Sequence, residues 1–145
     1  MKDRDENFTE VPIQTFYEEN LKLFGGKIAK ALEASRIYPL EIQSRVKNTE
    51  DIAYSPHDLY GFRIILANKI DCYKTAICLI NSFEILKLKD YYVNHHPQEE
   101  TYRAIHIQIK VGNEKNIEVQ IKTRRMHKRQ MLKRKTLGDH YWKRK

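Results

Sequence analysis

Two cysteines, four prolines and five glycines are all that 145 residues contain of the side chains that cross-link or break regular structure. Cys72 and Cys78 lie six apart in an apolar stretch. They read as buried free thiols, not as a disulfide or a metal pair, so nothing here demands an oxidising compartment. The low proline and glycine content excludes a collagen-like or linker-dominated chain. No apolar run approaches the ~20 residues that span a bilayer, so no membrane role is expected. The opening Met1-Lys2-Asp3-Arg4-Asp5-Glu6 is charged, with no apolar stretch behind it. A secretory signal is therefore not expected, and a cytoplasmic location is. Repeats and low-complexity tracts are lacking too.

What is present is an ordinary core composition, 41% hydrophobic and 10% aromatic. That suits one domain over residues 1–145. It divides into an N-terminal helical segment (1–38), a sheet core (40–122) and a basic C-terminal segment (123–145). Lysine and arginine outnumber the acids 27 to 19, a formal charge of +8. A field of that sign attracts phosphates of nucleotides, nucleic acid or anionic lipid without choosing among them. It is concentrated at the end of the chain. From Lys122 onward, Arg124, Arg125, Lys128, Arg129, Lys133, Arg134 and Lys135 precede the lone acid Asp139.

Hydrophobic periodicity predicts the elements. Phe16, Leu23, Phe24, Ile28, Ala31 and Leu32 recur at helical spacing over about 12–35, with Gly25-Gly26 a predicted break. Residues 40–47 alternate, Leu40, Ile42 and Val46 against Glu41, Gln43, Arg45 and Lys47, as a half-buried strand does. Leu59 to Ala67 reads as a central strand carrying Arg63. A helix is expected over about 70–86, with Ile70, Tyr73, Ile77, Ile80 and Ile85 as its apolar stripe. Residues 87–101 read as a polar loop. Tyr102 to Val111 and Ile117 to Lys122 alternate strictly and form a hairpin. Pairing Val111 with Ile117 matches the faces and sets Lys110 opposite Glu118, Gln108 opposite Gln120 and His106 opposite Lys122. One hairpin face is wholly apolar. The other is polar, either a solvated surface or the floor of a ligand site. A basic helical segment over about 123–135 and 139–143, broken near Gly138, closes the chain. Alternating helices and strands suggest a twisted sheet with helices on one or both faces.

These elements carry motifs in a familiar order. Asp58-Leu59-Tyr60-Gly61-Phe62-Arg63-Ile64-Ile65 resembles the D-x-x-G-x-R-I-I strand of the RelA/SpoT synthetase family. Ser44-Arg45-Val46-Lys47 resembles its R-x-K strand, and Lys89-Asp90-Tyr91 its K-D-Y-I. Tyr102-Arg103-Ala104-Ile105-His106 resembles G-Y-x-S-x-H, and Glu118-Val119-Gln120-Ile121-Lys122-Thr123 resembles E-[IV]-Q-I-R-T. Met126-His127 and His140-Tyr141-Trp142-Lys143 echo its M-H and H-W endings. The resemblance runs from about residue 40 to 145. It implies an α/β, nucleotidyltransferase-like domain: a twisted mixed sheet of about five strands flanked by helices.

The resemblance further implies transfer of the β,γ-pyrophosphate of ATP to the 3′-hydroxyl of GDP or GTP, making the alarmone (p)ppGpp. Such chemistry uses Mg²⁺ to neutralise and orient the triphosphate. The family pattern places the metal at Asp58 and Glu118, with Glu118 or Gln120 orienting or deprotonating the hydroxyl. It places the ATP base between Arg45 and Arg63, whose guanidinium planes stack well on a base, and an ATP phosphate at Lys47. It places the acceptor at Lys87 and Lys89, at Tyr102 as the guanine platform, and at His106 as a phosphate contact. Read without the family, Arg63 is equally a partner of Asp58, Tyr102 a strand-edge aromatic and His106 an exposed strand histidine. His95-His96 lacks a third ligand in view. His57-Asp58 precedes a strand, unlike the all-helical metal phosphohydrolases, so hydrolysis is not expected.

The chain departs from the family in three places. Only ten residues separate Lys47 from Asp58, too few for the lysine-bearing helix usual there. Thr101 and Ala104 replace the glycine and serine of the guanine loop, with Glu99-Glu100 just before them. The terminal segment is basic where the family's is rather acidic. Two further readings therefore stay open: a variant acting on another acceptor, such as the 3′ end of tRNA, with RNA contact through the basic segment; and a non-catalytic nucleotide-binding module. A homo-oligomer is compatible with each.

Overall fold

The computed structural model describes residues 13–46, 60–111 and 115–137. Among these the order is α1 (Ile13–Ala34), β1 (Glu41–Val46), β2 (Tyr60–Leu66), α2 (Lys69–Ser82), β3 (Ile85–Asp90), β4 (Ile105–Val111), β5 (Lys115–Thr123) and α3 (Arg124–Leu137). The five strands form one sheet in the order β1-β2-β5-β4-β3. Only β2 and β5 run parallel; the other neighbours are antiparallel. The mixed five-stranded sheet is the one expected.

Strand alternation sorts the two faces. Tyr60, Phe62, Ile64 and Leu66 of β2, Ile105, Ile107 and Ile109 of β4, and Ile117, Val119 and Ile121 of β5 point to one side. There they pack under Leu21, Ile28 and Leu32 of α1 and Cys72, Ala76, Cys78 and Leu79 of α2. Both thiols are free and buried. Burial pushes that of Cys72 up to about 11, which makes it unreactive. No helix among the described residues is long and apolar enough to cross a membrane.

Several sequence expectations are corrected. α1 is one unbroken helix through Gly25-Gly26. Gly25 sits over the Phe62 ring, where an added Cβ would lie 3.1 Å from Cε1. That glycine is a packing device, not a breaker. α1 ends in a left-handed residue, Arg36 at φ 59°, with the Ile37 amide donating to the Leu32 carbonyl. α2 begins at the Asn68 cap, which accepts from the Asp71 amide at 2.8 Å, and stops at Ser82. Its buried face is Cys72, Thr75, Ala76, Cys78 and Leu79, while Ile70, Ile77 and Ile80 are exposed. Ile85 belongs to β3, so the segment expected as loop from residue 87 begins as an edge strand.

The hairpin pairs two residues out from the predicted register: Ile109 opposite Ile117, Gln108 opposite Glu118 and His106 opposite Gln120. A slip of two leaves every side chain on its predicted face, whereas a slip of one would have exchanged the faces. α3 runs unbroken to Leu137 and lies across the polar face of the sheet, opposite α1 and α2.

Candidate active site

The polar face of the sheet is organised in rows, because paired residues on neighbouring strands share a face. One row crosses all five strands as Gln43, Arg63, Gln120, His106 and Lys89. The next row is Arg45, Gly61, Glu118, Gln108 and Lys87. Seven of the ten expected site residues therefore stand on two adjacent rows: Arg45, Arg63, Glu118, Gln120, His106, Lys87 and Lys89. Tyr102 lies beside them at the start of β4. Asp58 and Lys47 lie outside the described residues, as does His57.

Arg63 is the centre of the first row. Its Nη1 donates to Gln43 Oε1 at 2.8 Å, and its Nε reaches Gln120 Oε1 at 3.5 Å. Burial lowers its pKa first, and the neighbouring Arg45 and Arg134 lower it further, while Tyr102 and Glu118 act the other way. The guanidinium nonetheless stays charged at any ordinary pH. Arg45 lies over bare backbone: a Cβ on Gly61 would sit 3.6 Å from its Cγ. Gly61 thus lets the Arg45 side chain lie low on the sheet. These rows set four cations, Arg45, Arg63, Lys87 and Lys89, against one carboxylate, Glu118. That charge balance suits a polyphosphate.

Tyr102, which the family pattern makes the guanine platform, is enclosed by other rings. It is 1% exposed, clustered with Tyr91, Ala104 and Met126. Its ring meets those of Tyr91, His96 and His106 at 5.9, 5.4 and 5.4 Å, and the Lys122 Nζ lies 4.7 Å from its centroid. Lys122 itself is fully buried, so this cation–π contact is made away from water. The Tyr102 hydroxyl is 2.7 Å from His106 Nε2.

The segment after β3 is held firmly. Asp90 accepts from the Tyr73 hydroxyl at 2.6 Å and the Tyr92 amide at 2.8 Å. The Tyr91 amide donates to the Ala104 carbonyl. Glu99, one of the two acids that would repel an acceptor phosphate, is buried and paired with Lys133 of α3. It points toward the helix, away from the floor rows. On α3, Met126, His127 and Gln130 face inward. Burial lowers the His127 pKa, and the Arg63 and Lys122 charges lower it further. Arg124, Arg125, Lys128 and Arg129 are exposed on the outer side.

Sequence reasoning gave no role to Gln43, Tyr91 or Glu99. Gln43 was detectable, since the alternation of residues 40–47 puts it on the face of Arg45. Tyr91 and Glu99 carry no local signal, because their partners are Tyr102 and a helix more than thirty residues away. Among the described residues no three histidines, cysteines or acids group as a metal site. Glu118 fits Mg²⁺ all the same, because that ion takes one or two carboxylates and completes its shell with water and substrate phosphate.

A mixed five-stranded sheet with helices on both faces and a cationic polar face bearing Glu118 defines an α/β domain. The model of the region found in RelA/SpoT proteins matches residues 39–136, more than half the chain, which belongs to the RelA/SpoT family. The fold is the nucleotidyltransferase-like one of small alarmone synthetases. Small alarmone synthetase 2 from Bacillus subtilis superposes with a TM-score of 0.68 at 26% identity, covering 85% of this chain and 77% of that one. Small alarmone synthetase 1 from the same organism, bound to its product pppGpp, shares the fold at TM-score 0.64 and 19% identity, over 84% and 75% of the two chains. A probable guanosine-3′,5′-bis(diphosphate) 3′-pyrophosphohydrolase of Mycoplasma pneumoniae is 28% identical over 126 residues, 78% of this chain. A probable chloroplastic GTP diphosphokinase of Arabidopsis thaliana is 39% identical over 74 residues, 49% of this chain. The chain spans only 16% and 10% of the length of these two relatives.

Proposed function

We propose that this domain transfers the β,γ-pyrophosphate of ATP to the 3′-hydroxyl of GDP or GTP. The observation that carries the reading is the pair of cross-strand rows that gathers Arg45, Arg63, Glu118, Gln120, His106, Lys87 and Lys89 on one face. Arg45 and Arg63 flank the ATP base, one lying over Gly61 and the other held by Gln43 and Gln120. Lys87 and Lys89, on the far edge strand, meet the acceptor phosphates together with His106. Separating the two arginines from the two lysines by β5 and β4 puts the centre of the sheet, Glu118 and Gln120, between donor and acceptor. Mg²⁺ held by Glu118, and by Asp58 from the segment before β2, neutralises the triphosphate when bound. Gln120, in contact with Arg63, orients the attacking hydroxyl, and Glu118, two residues before it on β5, takes its proton.

Incubation with ATP labelled in its β- or γ-phosphate, Mg²⁺ and each acceptor in turn tests the reading. The expected products are AMP and a guanosine nucleotide carrying the label at its 3′ position. Label appearing only on tRNA would move the acceptor to RNA, an outcome the exposed basic side of α3 makes worth including. Label on no acceptor, with ATP still bound, would leave a nucleotide-binding module and overturn the proposal.

A further inference from the structure

Tyr102 and His106 are four residues apart in a segment that reads as continuous strand. In an unbroken strand their Cα atoms would stand about 13 Å apart. Here β4 begins only at Ile105, and the preceding residues turn. The Tyr102 amide donates to the Glu99 carbonyl, and Arg103 Nη1 donates to the carbonyls of Glu100 and Tyr102 at 2.7 and 2.8 Å. This turn precedes Tyr102, and from its end the phenol leans along the chain until its oxygen lies 2.7 Å from His106 Nε2. Tyr91 and His96 crowd the ring, Met126 of α3 closes the cluster, and the Lys122 ammonium lies over the ring. A base stacking on this ring would have to displace that ammonium or those aromatic neighbours. The one polar atom of the side chain, by contrast, already faces a floor residue.

We propose that Tyr102 is a positioning residue: its hydroxyl donates to His106 Nε2 and holds the imidazole in one rotation and in its Nδ1–H tautomer. A neutral imidazole has one donor and one acceptor nitrogen, so a hydroxyl proton given to Nε2 leaves the ring proton on Nδ1. The phenol suits this task because burial, above all, pushes its pKa upward, so the proton it donates is retained. In the first row His106 stands between Gln120 on β5 and Lys89 on β3. The assignment rests on His106 contacting the acceptor, and it gives Tyr102 a different role from the base platform the family pattern suggests. It predicts a defect in turnover, not in acceptor affinity, when the hydroxyl alone is removed.

The test compares wild type, Tyr102→Phe and Tyr102→Ala in two assays. The first is long-range ¹H–¹⁵N correlation of the His106 ring without nucleotide, assigned by its disappearance in His106→Gln. The expected result is a single Nδ1–H tautomer in the wild type and a mixture of tautomers in Tyr102→Phe, whose ring keeps the packing. The second is steady-state transfer to GDP. Tyr102→Phe is expected to lower kcat about tenfold or more, as loss of a group's alignment does, with the GDP KM within about twofold. An unchanged tautomer in Tyr102→Phe overturns the proposal. So does wild-type kcat in Tyr102→Phe with a KM raised only in Tyr102→Ala, the signature of a stacking ring. If the wild type transfers pyrophosphate to no acceptor, the proposed function fails, and the ring spectrum alone still decides whether Tyr102 sets the tautomer.

Discussion

Gly25 and Gly26 are neighbours in one helix, yet replacing each with alanine should have opposite consequences. In a helix interior the change gains about 1 kcal/mol, because alanine loses less backbone freedom on folding. At Gly26, which is exposed, an added Cβ meets nothing within 4 Å, so the gain should appear undiminished. At Gly25 the same Cβ lies 3.1 Å from Phe62 Cε1 and 3.7 Å from its Cζ. Phe62 is buried on the central strand β2, next to β1 and β5, so its ring cannot turn away into solvent. Forcing an extra methyl into a packed core costs about 1–3 kcal/mol. Net, Gly26→Ala should be stabilised by about 1 kcal/mol, and Gly25→Ala should range from neutral to about 2 kcal/mol less stable. Urea unfolding of the two variants beside the wild type measures both, with midpoints moving at nearly constant slope. Gly61 and Arg63, the residues flanking Phe62, point to the opposite face, so a push on the ring is also felt at the floor. Transfer activity should fall in Gly25→Ala and hold in Gly26→Ala. Equal stabilisation of both variants would refute the argument, since it would mean that α1 does not press on β2 at Phe62.

Three further outcomes are expected. Glu118→Gln removes the one carboxylate of the two floor rows and should cut pyrophosphate transfer by at least about a hundredfold, with far-UV circular dichroism unchanged. Near wild-type turnover would remove Glu118 from the chemistry. Lys133→Met withdraws the ammonium from the buried Glu99 carboxylate and should cost about 1–3 kcal/mol in urea unfolding, at the low end because Lys133 is partly exposed. Adding Glu99→Gln to that variant should recover part of the loss. His127 has a folded pKa below its usual value of 6.5, so the unfolded chain binds more protons just below that pH. Its contribution is complete above about pH 6.5 and is lost as the pH falls through and below it. Thermal melts between pH 7.5 and 5.5 should show a smaller drop in Tm for His127→Gln than for the wild type.

Much of the candidate site was legible because strand periodicity is robust. The alternations over 40–47, 105–111 and 117–122 assign each side chain to a face before any partner strand is known, and the two-residue error in the hairpin register left those faces intact. Arg45, Gln120, His106 and Glu118 could therefore be placed on a common polar side. The helix faces were less legible. In α2 the isoleucines of the expected stripe, Ile70, Ile77 and Ile80, are exposed, while Cys72, Thr75, Ala76, Cys78 and Leu79 are buried. β3 was missed although Leu86-Lys87-Leu88-Lys89 alternates, because the stretch is short and Ile85 also fits the apolar stripe expected of the helix before it.

The order of the motifs and the polarity of the faces of β1, β4 and β5 were determined by the sequence alone, because they depend on spacing within segments of about ten residues or fewer. Tertiary structure decided what depends on neighbours distant in the chain. It set β2 beside β5, which brings Arg63 against Gln120 and Gly61 against Glu118. It laid α3 over the polar face, where Lys133 takes up the Glu99 carboxylate and Met126 closes over Tyr102. It also buried Tyr102, with its hydroxyl 2.7 Å from His106 Nε2. Burial is a property of what surrounds a residue, and for Tyr102 that surrounding comes from β3, the loop after it, β5 and α3 together.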